Sequence, residues 1–207
     1  MNIQCDAANN HQVGYLQSMV FHRKLINDQS SYGWGHILLH WLIAFAIIGL
    51  YPLGLYIETL DYYDPAYRTI PYWHKSIGAL IIFALVFRVL WRVLNKPPAP
   101  LPQPERMKQL AKLAHLMLYA LLILTLVSGY LISTADGRSI EVFSWFNIPA
   151  LPFAFDNQED IAGEIHFFAA TALISISSLH ALAALKHHFI DKDTTLTRML
   201  ALHEDPQ

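Results

Sequence analysis

Residues 164–188, EIHFFAATALISISSLHALAALKHH, decide how this chain is read. The run is apolar, with one histidine near its start and another near its end. His166 and His180 are fourteen residues apart. At 1.5 Å and about 100° per residue, an α-helix sets them roughly 21 Å apart and within about 40° of one face. Ala170, Leu173 and Ser177 lie between them on that face, with Ala184 beyond, and most of these are small. Two imidazoles at two depths, with little bulk between them, leave room for two flat ligands.

The rest of the chain fits a helix of that kind. It has 207 residues, of which 54% are hydrophobic, 13% aromatic and only 14% charged. A soluble domain carries about 25% charged residues, and here long segments hold almost none, so the composition is that of a one-domain membrane protein. The net charge of −2 says little, because the distribution of Lys and Arg matters more than their sum. Nucleic acid is not an expected partner. Cys5 is the single cysteine, which excludes a disulfide within the chain and a thiolate metal cage. No Cys-x-x-Cys-His occurs, so covalent c-type haem attachment is excluded too. The N-terminus lacks an apolar core and does not read as a signal peptide.

Four apolar runs are each long enough to cross a ~30 Å hydrocarbon layer. They cover about 36–57, 72–94, 110–133 and 163–185. Trp34, Trp41, Tyr51 and Tyr56 read as interfacial anchors of the first, and Pro52 as a kink near its outer end. Between the second and third lies PPAPLPQPERMKQLAK, whose prolines exclude a helix at its start. Lys and Arg gather before the first span, between the second and third, and after the fourth. The positive-inside rule then puts both termini in the cytoplasm and two acidic loops outside. The expected fold is all-α: a membrane four-helix bundle over residues 31–190, with a polar extension at 1–30 and a cytoplasmic tail at 191–207. The segment SIEVFSWFNIPALPF in the second acidic loop reads as a cap lying on the membrane surface.

Depth sorts the eleven histidines. His40 and His180 fall near the cytoplasmic side, and His74 and His166 near the outside. A lone membrane histidine is more often an interhelical hydrogen-bond donor, but two pairs at matched depths suit two low-spin haems. Fourteen residues after His40 stands Gly54, and fourteen after His115 stands Gly129. Both glycines face inward near the outer pair, as haem neighbours or as helix-packing residues, and Gly78 and Gly163 fit the same role. Fourteen after His74 comes Arg88, which either meets a haem propionate or snorkels to the cytoplasm. His36 reads as a headgroup residue, and His11, His22 and His203 as solvated. His115 is either a support for the inner site or an ordinary interfacial histidine.

The stretches LLHWL, YWHKSIG, RVLWRVLNKPPAP, KLAHLMLYALLILTLVSGY, EIHFFA and SLHALAALKHHFIDKDTTLTRML resemble the bacterial cytochrome b561 family. The resemblance covers roughly residues 31–202. It implies a four-helix protein of the bacterial inner membrane that binds two haem b groups and exchanges electrons with ubiquinone or another quinone. The family's haem ligands carry onto His40, His74, His166 and His180. Some members are similar to superoxide oxidases, passing electrons from superoxide outside to ubiquinone inside. The outer loops depart from what that substrate favours: nine Asp or Glu stand against Arg68, Lys75 and Arg138, whereas a positive field would help capture an anion. Lys75, beside His74, supplies positive charge locally.

The reading is therefore a quinone-linked electron carrier with an outer-face donor. His187, seven residues after His180, is either a proton carrier to quinone together with His115, or part of a basic anchor with Lys186 and His188. The competing function is a haem-bearing membrane anchor for a partner oxidoreductase, docked on the aromatic outer loop. A transporter has little support, since no carboxylate lies at midspan and no inverted repeat is visible.

Overall fold

The computed structural model describes residues 25–200. His11, His22, His203 and most of the expected N-terminal extension lie outside the described residues. Four helices carry the chain: α1 (Trp34–Ile57), α2 (Thr69–Leu94), α3 (Glu105–Ser133) and α4 (Gln158–Phe189). All four are long and apolar enough to cross a membrane. At 24, 26, 29 and 32 residues they span about 36–48 Å at 1.5 Å per residue, more than a ~30 Å hydrocarbon layer needs. The all-α membrane bundle is borne out. A short α5 (Thr195–Met199) and two three-residue strands, β1 (Ile140–Val142) and β2 (Phe146–Ile148), complete it.

The helices start earlier than apolarity alone implies. Pro104 stands at the N-cap of α3, with ψ 143, where its missing N–H costs nothing. The good helix formers ERMKQLAKLA follow at once, so α3 begins at Glu105 rather than near 110. Pro71 sits in the first turn of α2 for the same reason. Around α4 the ends complement the backbone dipole. Glu159 and Asp160 occupy its first turn, and Lys186, His187 and His188 its last.

The bundle pairs α1 with α2 and α3 with α4. Ile43, Ile81, Leu85, Leu122 and Leu173, drawn from all four helices, make the buried core. Ile81 lies seven residues from both His74 and Arg88, Leu122 seven from His115 and Gly129, and Leu173 seven from His166 and His180. An apolar layer thus separates the two ends. We call the end carrying Arg88, Arg92 and Lys96 the basic end and the other the acidic end.

Three segments close the basic end. Asn27 donates from Nδ2 to the Lys96 carbonyl at 3.2 Å, and the Ala99 amide donates to the Gln29 carbonyl at 2.9 Å. Beyond α4 the chain reverses through Lys192, at φ 54, and α5 packs back on α4. Trp41 Nε1 donates to the Met199 carbonyl at 2.8 Å, and Arg198 Nη1 to that of Ala99 at 3.0 Å. Trp41, expected only as a headgroup anchor, thereby holds the C-terminal turn, and Tyr51 meets Thr171 on α4 at 3.2 Å. The acidic end carries the β1–β2 hairpin, within the segment expected to lie as a cap on the membrane surface. Ile140 and Val142 pack with Ala79 of α2, and Tyr130 of α3 joins them.

Candidate functional site

His74 on α2 and His166 on α4 face each other at the acidic end, their ring centres 6.2 Å apart and their planes at 69°. A metal held between two imidazoles at about 2 Å bonds, with roughly 1.1 Å from nitrogen to ring centre, needs about 6 Å. His166 Nδ1 lies 2.8 Å from the Thr125 carbonyl and 3.3 Å from Ser128 Oγ. A carbonyl only accepts, so Nδ1 carries the proton and Nε2 keeps its lone pair for a metal. His74 Nδ1 is buried, with no hydrogen-bond partner among the described residues.

Glycine makes both approaches possible. A Cβ on Gly54 would stand 3.3 Å from His74 Cε1, and one on Gly129 would stand 3.0 Å from His166 Cε1. Each glycine therefore seats an imidazole edge-on against the neighbouring helix. Gly78 and Gly163, one turn from His74 and His166, differ: a Cβ there would meet nothing within 4 Å.

The basic end gathers His40 of α1, Arg88 of α2, His115 of α3 and His180 of α4. Arg88 Nη2 donates to His40 Nδ1 at 3.0 Å, and its Nε to the Tyr119 hydroxyl at 3.1 Å. Arg88 and Arg92 lie 6.0 and 5.7 Å from the centre of the Tyr119 ring. The ring contact of His180 is with His115, at 5.3 Å. His36 is buried and stacks on Tyr32 at 4.5 Å.

Counted in fourteens, the two helical hairpins repeat one arrangement. In α1–α2, His74 meets Gly54 and Arg88 meets His40; in α3–α4, His166 meets Gly129 and His180 meets His115. The repeat is parallel, not inverted.

His187 is placed differently. Its Nδ1 is 3.0 Å from Asp191 Oδ2 and 2.9 Å from Asp193 Oδ2. Neither contact is aligned as a hydrogen bond. Lys186 Nζ pairs with Asp191 at 2.7 Å. Among the described contacts His187 and His115 are not brought together. Lys75 is exposed, one residue from His74, and has no ion pair among the described residues.

The supports of these groups were missed in the sequence. Tyr119, four residues after His115, carried a readable signal in its helical spacing. Thr125 and Ser128 did not, because the carbonyl that receives His166 is a main-chain group.

Residues 31–201 match the family model described as prokaryotic cytochrome b561. The chain belongs to the prokaryotic cytochrome b561 family. It is 50% identical over 175 residues to cytochrome b561 homolog 2 of Escherichia coli (strain K12), covering 84% of this chain and 93% of that protein. It is also 30% identical over 170 residues to the "Probable superoxide oxidase CybB" of Yersinia pestis, with coverage of 78% and 91%. Cytochrome b561 homolog 1 of E. coli is 27% identical over 176 residues. As a prokaryotic cytochrome b561 the chain is a multi-pass membrane electron-transfer protein that binds b-type haem. The facing imidazoles and the lone pair left on His166 Nε2 fit such a group at the acidic end.

Proposed function

We propose that this cytochrome conducts electrons across the bacterial inner membrane through two haem b groups, both termini being cytoplasmic. His74 and His166 hold the outer group, and His40 and His180 the inner one, for which Arg88 must release His40 Nδ1 so that the ring proton can move there and free Nε2. The observation that carries the reading is the 6.2 Å separation of the His74 and His166 rings, with the Thr125 carbonyl fixing the tautomer of His166. When bound, each haem supplies one-electron chemistry. The protein's part is to orient four imidazoles, exclude water with the layer around Ile81, Leu122 and Leu173, and keep the two sites apart.

The acceptor is ubiquinone or another quinone at the basic, cytoplasmic end. His115 and His187 are the candidate proton carriers there, because an imidazole can both accept and donate a proton. Asp191 and Asp193 lie beside one ring nitrogen of His187. Superoxide is the proposed donor, drawn from the relative bearing that activity in its name. Two superoxide anions would yield two dioxygen molecules and, with two protons, convert one quinone to quinol. Lys75 is the cation beside the outer pair.

Reduced-minus-oxidised spectra and a haem count on the detergent-purified protein test the core of this reading. The expected result is two low-spin b haems per chain, one lost in His40→Ala and the other in His74→Ala. A single haem, or one unaffected by His40→Ala, overturns the pairing. His187→Ala is expected to abolish quinone reduction with the haem spectra intact.

A second reading, a haem-bearing anchor for a partner oxidoreductase, draws on the exposed Trp145, Leu151, Phe153 and Phe155 of the acidic-end loop. Co-purification of a redox protein in mild detergent favours it. Turnover of superoxide by the isolated chain argues against it.

A further inference from the structure

The β1–β2 hairpin is closed along one edge by helix α2. Val142 pairs with Phe146, and Ile140 with Ile148. Where β1 meets α2, a single buried hydroxyl serves two backbone groups. Ser76, 0% exposed, donates to the Glu141 carbonyl and accepts from the Phe143 amide, both at 3.3 Å. One side-chain oxygen thus stands in for a third strand. A strand edge buried against a helix must be satisfied within the protein, so this closure fixes the hairpin firmly on α2.

The hairpin also reaches down the bundle's outer surface. Phe143 packs against Trp73 at 5.1 Å, and Phe146 against Phe83 at 5.8 Å. Phe83 is fourteen residues into α2, about 21 Å along the axis from its first residue. It is 53% exposed, on a helix that crosses the membrane. Phe146 therefore continues a lipid-facing surface, and Trp145, 74% exposed, is a residue type that favours the membrane interface. The polar groups cluster near the shallow Tyr72, where Ser144 Oγ donates to Glu141 Oε1 at 2.7 Å and lies 3.5 Å from the Tyr72 hydroxyl.

We propose that this hairpin is a lipid-facing element, with Trp145 and Phe146 seated below the headgroups of the acidic-end leaflet, and not a water-exposed docking face for a protein donor. The inference is independent of the haem assignments.

Cys5 is the single cysteine, so Cys5→Ser gives a clean background for spin labels in the haem-loaded protein. Labels at Trp145→Cys, at Tyr63→Cys (90% exposed, in the α1–α2 loop) and at Leu90→Cys (54% exposed, on α2) would be compared in phosphatidylcholine vesicles. Power saturation reads collisions with oxygen, which concentrates in hydrocarbon, against a water-soluble nickel chelate. The oxygen-to-nickel ratio at 145 is expected severalfold above that at 63 and approaching that at 90. A ratio equal to that at 63 overturns the proposal in favour of an aqueous docking face. Protection from both reagents overturns it in favour of a covering protein. Phe146→Cys carries the same expectation if the Trp145 variant is not recovered folded.

Discussion

At the acidic end, His74 and His166 oppose each other, each seated on a glycine of the neighbouring helix. At the basic end the equivalent α2 and α4 positions hold Arg88 and His180, which meet His40 and His115. The scaffold is the same and the occupants differ. The first site repeats one residue set across both hairpins and carries no fixed charge. The second brings a permanent guanidinium, held by Tyr119, with no carboxylate paired to it among the described residues. A site built twice from one part suits symmetric ligation. A site with one part exchanged gains an electrostatic bias and, on the two-haem proposal, leaves one histidine for work other than ligation.

The comparison breaks most completely at the ligands. On the proposal that each end holds one haem, His166→Ala should remove one haem equivalent per chain and leave the basic-end haem in place, as read by haem count and reduced-minus-oxidised spectra. Loss of both would mean that the two sites are not separable.

Gly129→Ala tests the seat itself. Its Cβ would stand 3.0 Å from the His166 ring, against 3.3 Å for Gly54→Ala at His74. Overpacking of this kind costs about 1–3 kcal/mol. Thermal unfolding and haem retention should therefore suffer more from Gly129→Ala than from Gly54→Ala, and the basic-end spectrum should be spared.

Arg88→Gln sharpens the contrast in charge. A nearby cation stabilises the reduced form of a redox centre, so its removal should lower the basic-end midpoint potential by tens of millivolts, a free-energy change on the order of 1 kcal/mol. The acidic-end potential should hardly move. Equal shifts at both ends in a redox titration would refute the electrostatic asymmetry.

The smallest effect concerns the cap over the basic end. Burial raises the pKa of Asp28, but hydrogen bonds from the amides and hydroxyls of Ser31 and Ser30 outweigh it and pull the value down to about 2. Asp193 is also lowered: Thr195, His187 and Gln103 together outweigh its burial. A depressed carboxylate stabilises fully above its unfolded value of about 3.9, and that support fades as pH falls through the folded pKa. Acidification from pH 4 towards pH 2 should loosen residues 25–33 and α5, seen as faster amide exchange, before it loosens the hairpin. Both aspartates are largely solvent-screened, so the loss should be modest.

Much of this was legible in residue order. Four apolar runs, the positions of Lys and Arg, and fourteen-residue spacings gave the helices and the depth of every central histidine. Gly54 and Gly129 were legible as inward-facing, yet only the packing of neighbouring helices makes them seats for imidazoles. The hairpin at 140–148 was not legible. Three-residue strands carry almost no periodicity, and Phe143 and Ser144 adopt positive φ (48° and 56°) without a glycine to mark the turn. The placing of His187 between Asp191 and Asp193 depends on a chain reversal at Lys192 that apolar patterning does not register.

By itself, then, the sequence determined a membrane bundle and which groups lie at which depth, because helical rise turns residue number directly into distance along an axis. Rotation and neighbourhood belong to the tertiary structure. Which ring nitrogen finds a carbonyl, which histidine meets an arginine, and which serine completes a strand depend on how helices lean together. That is fixed by packing among residues tens of positions apart, and no single helix carries the information.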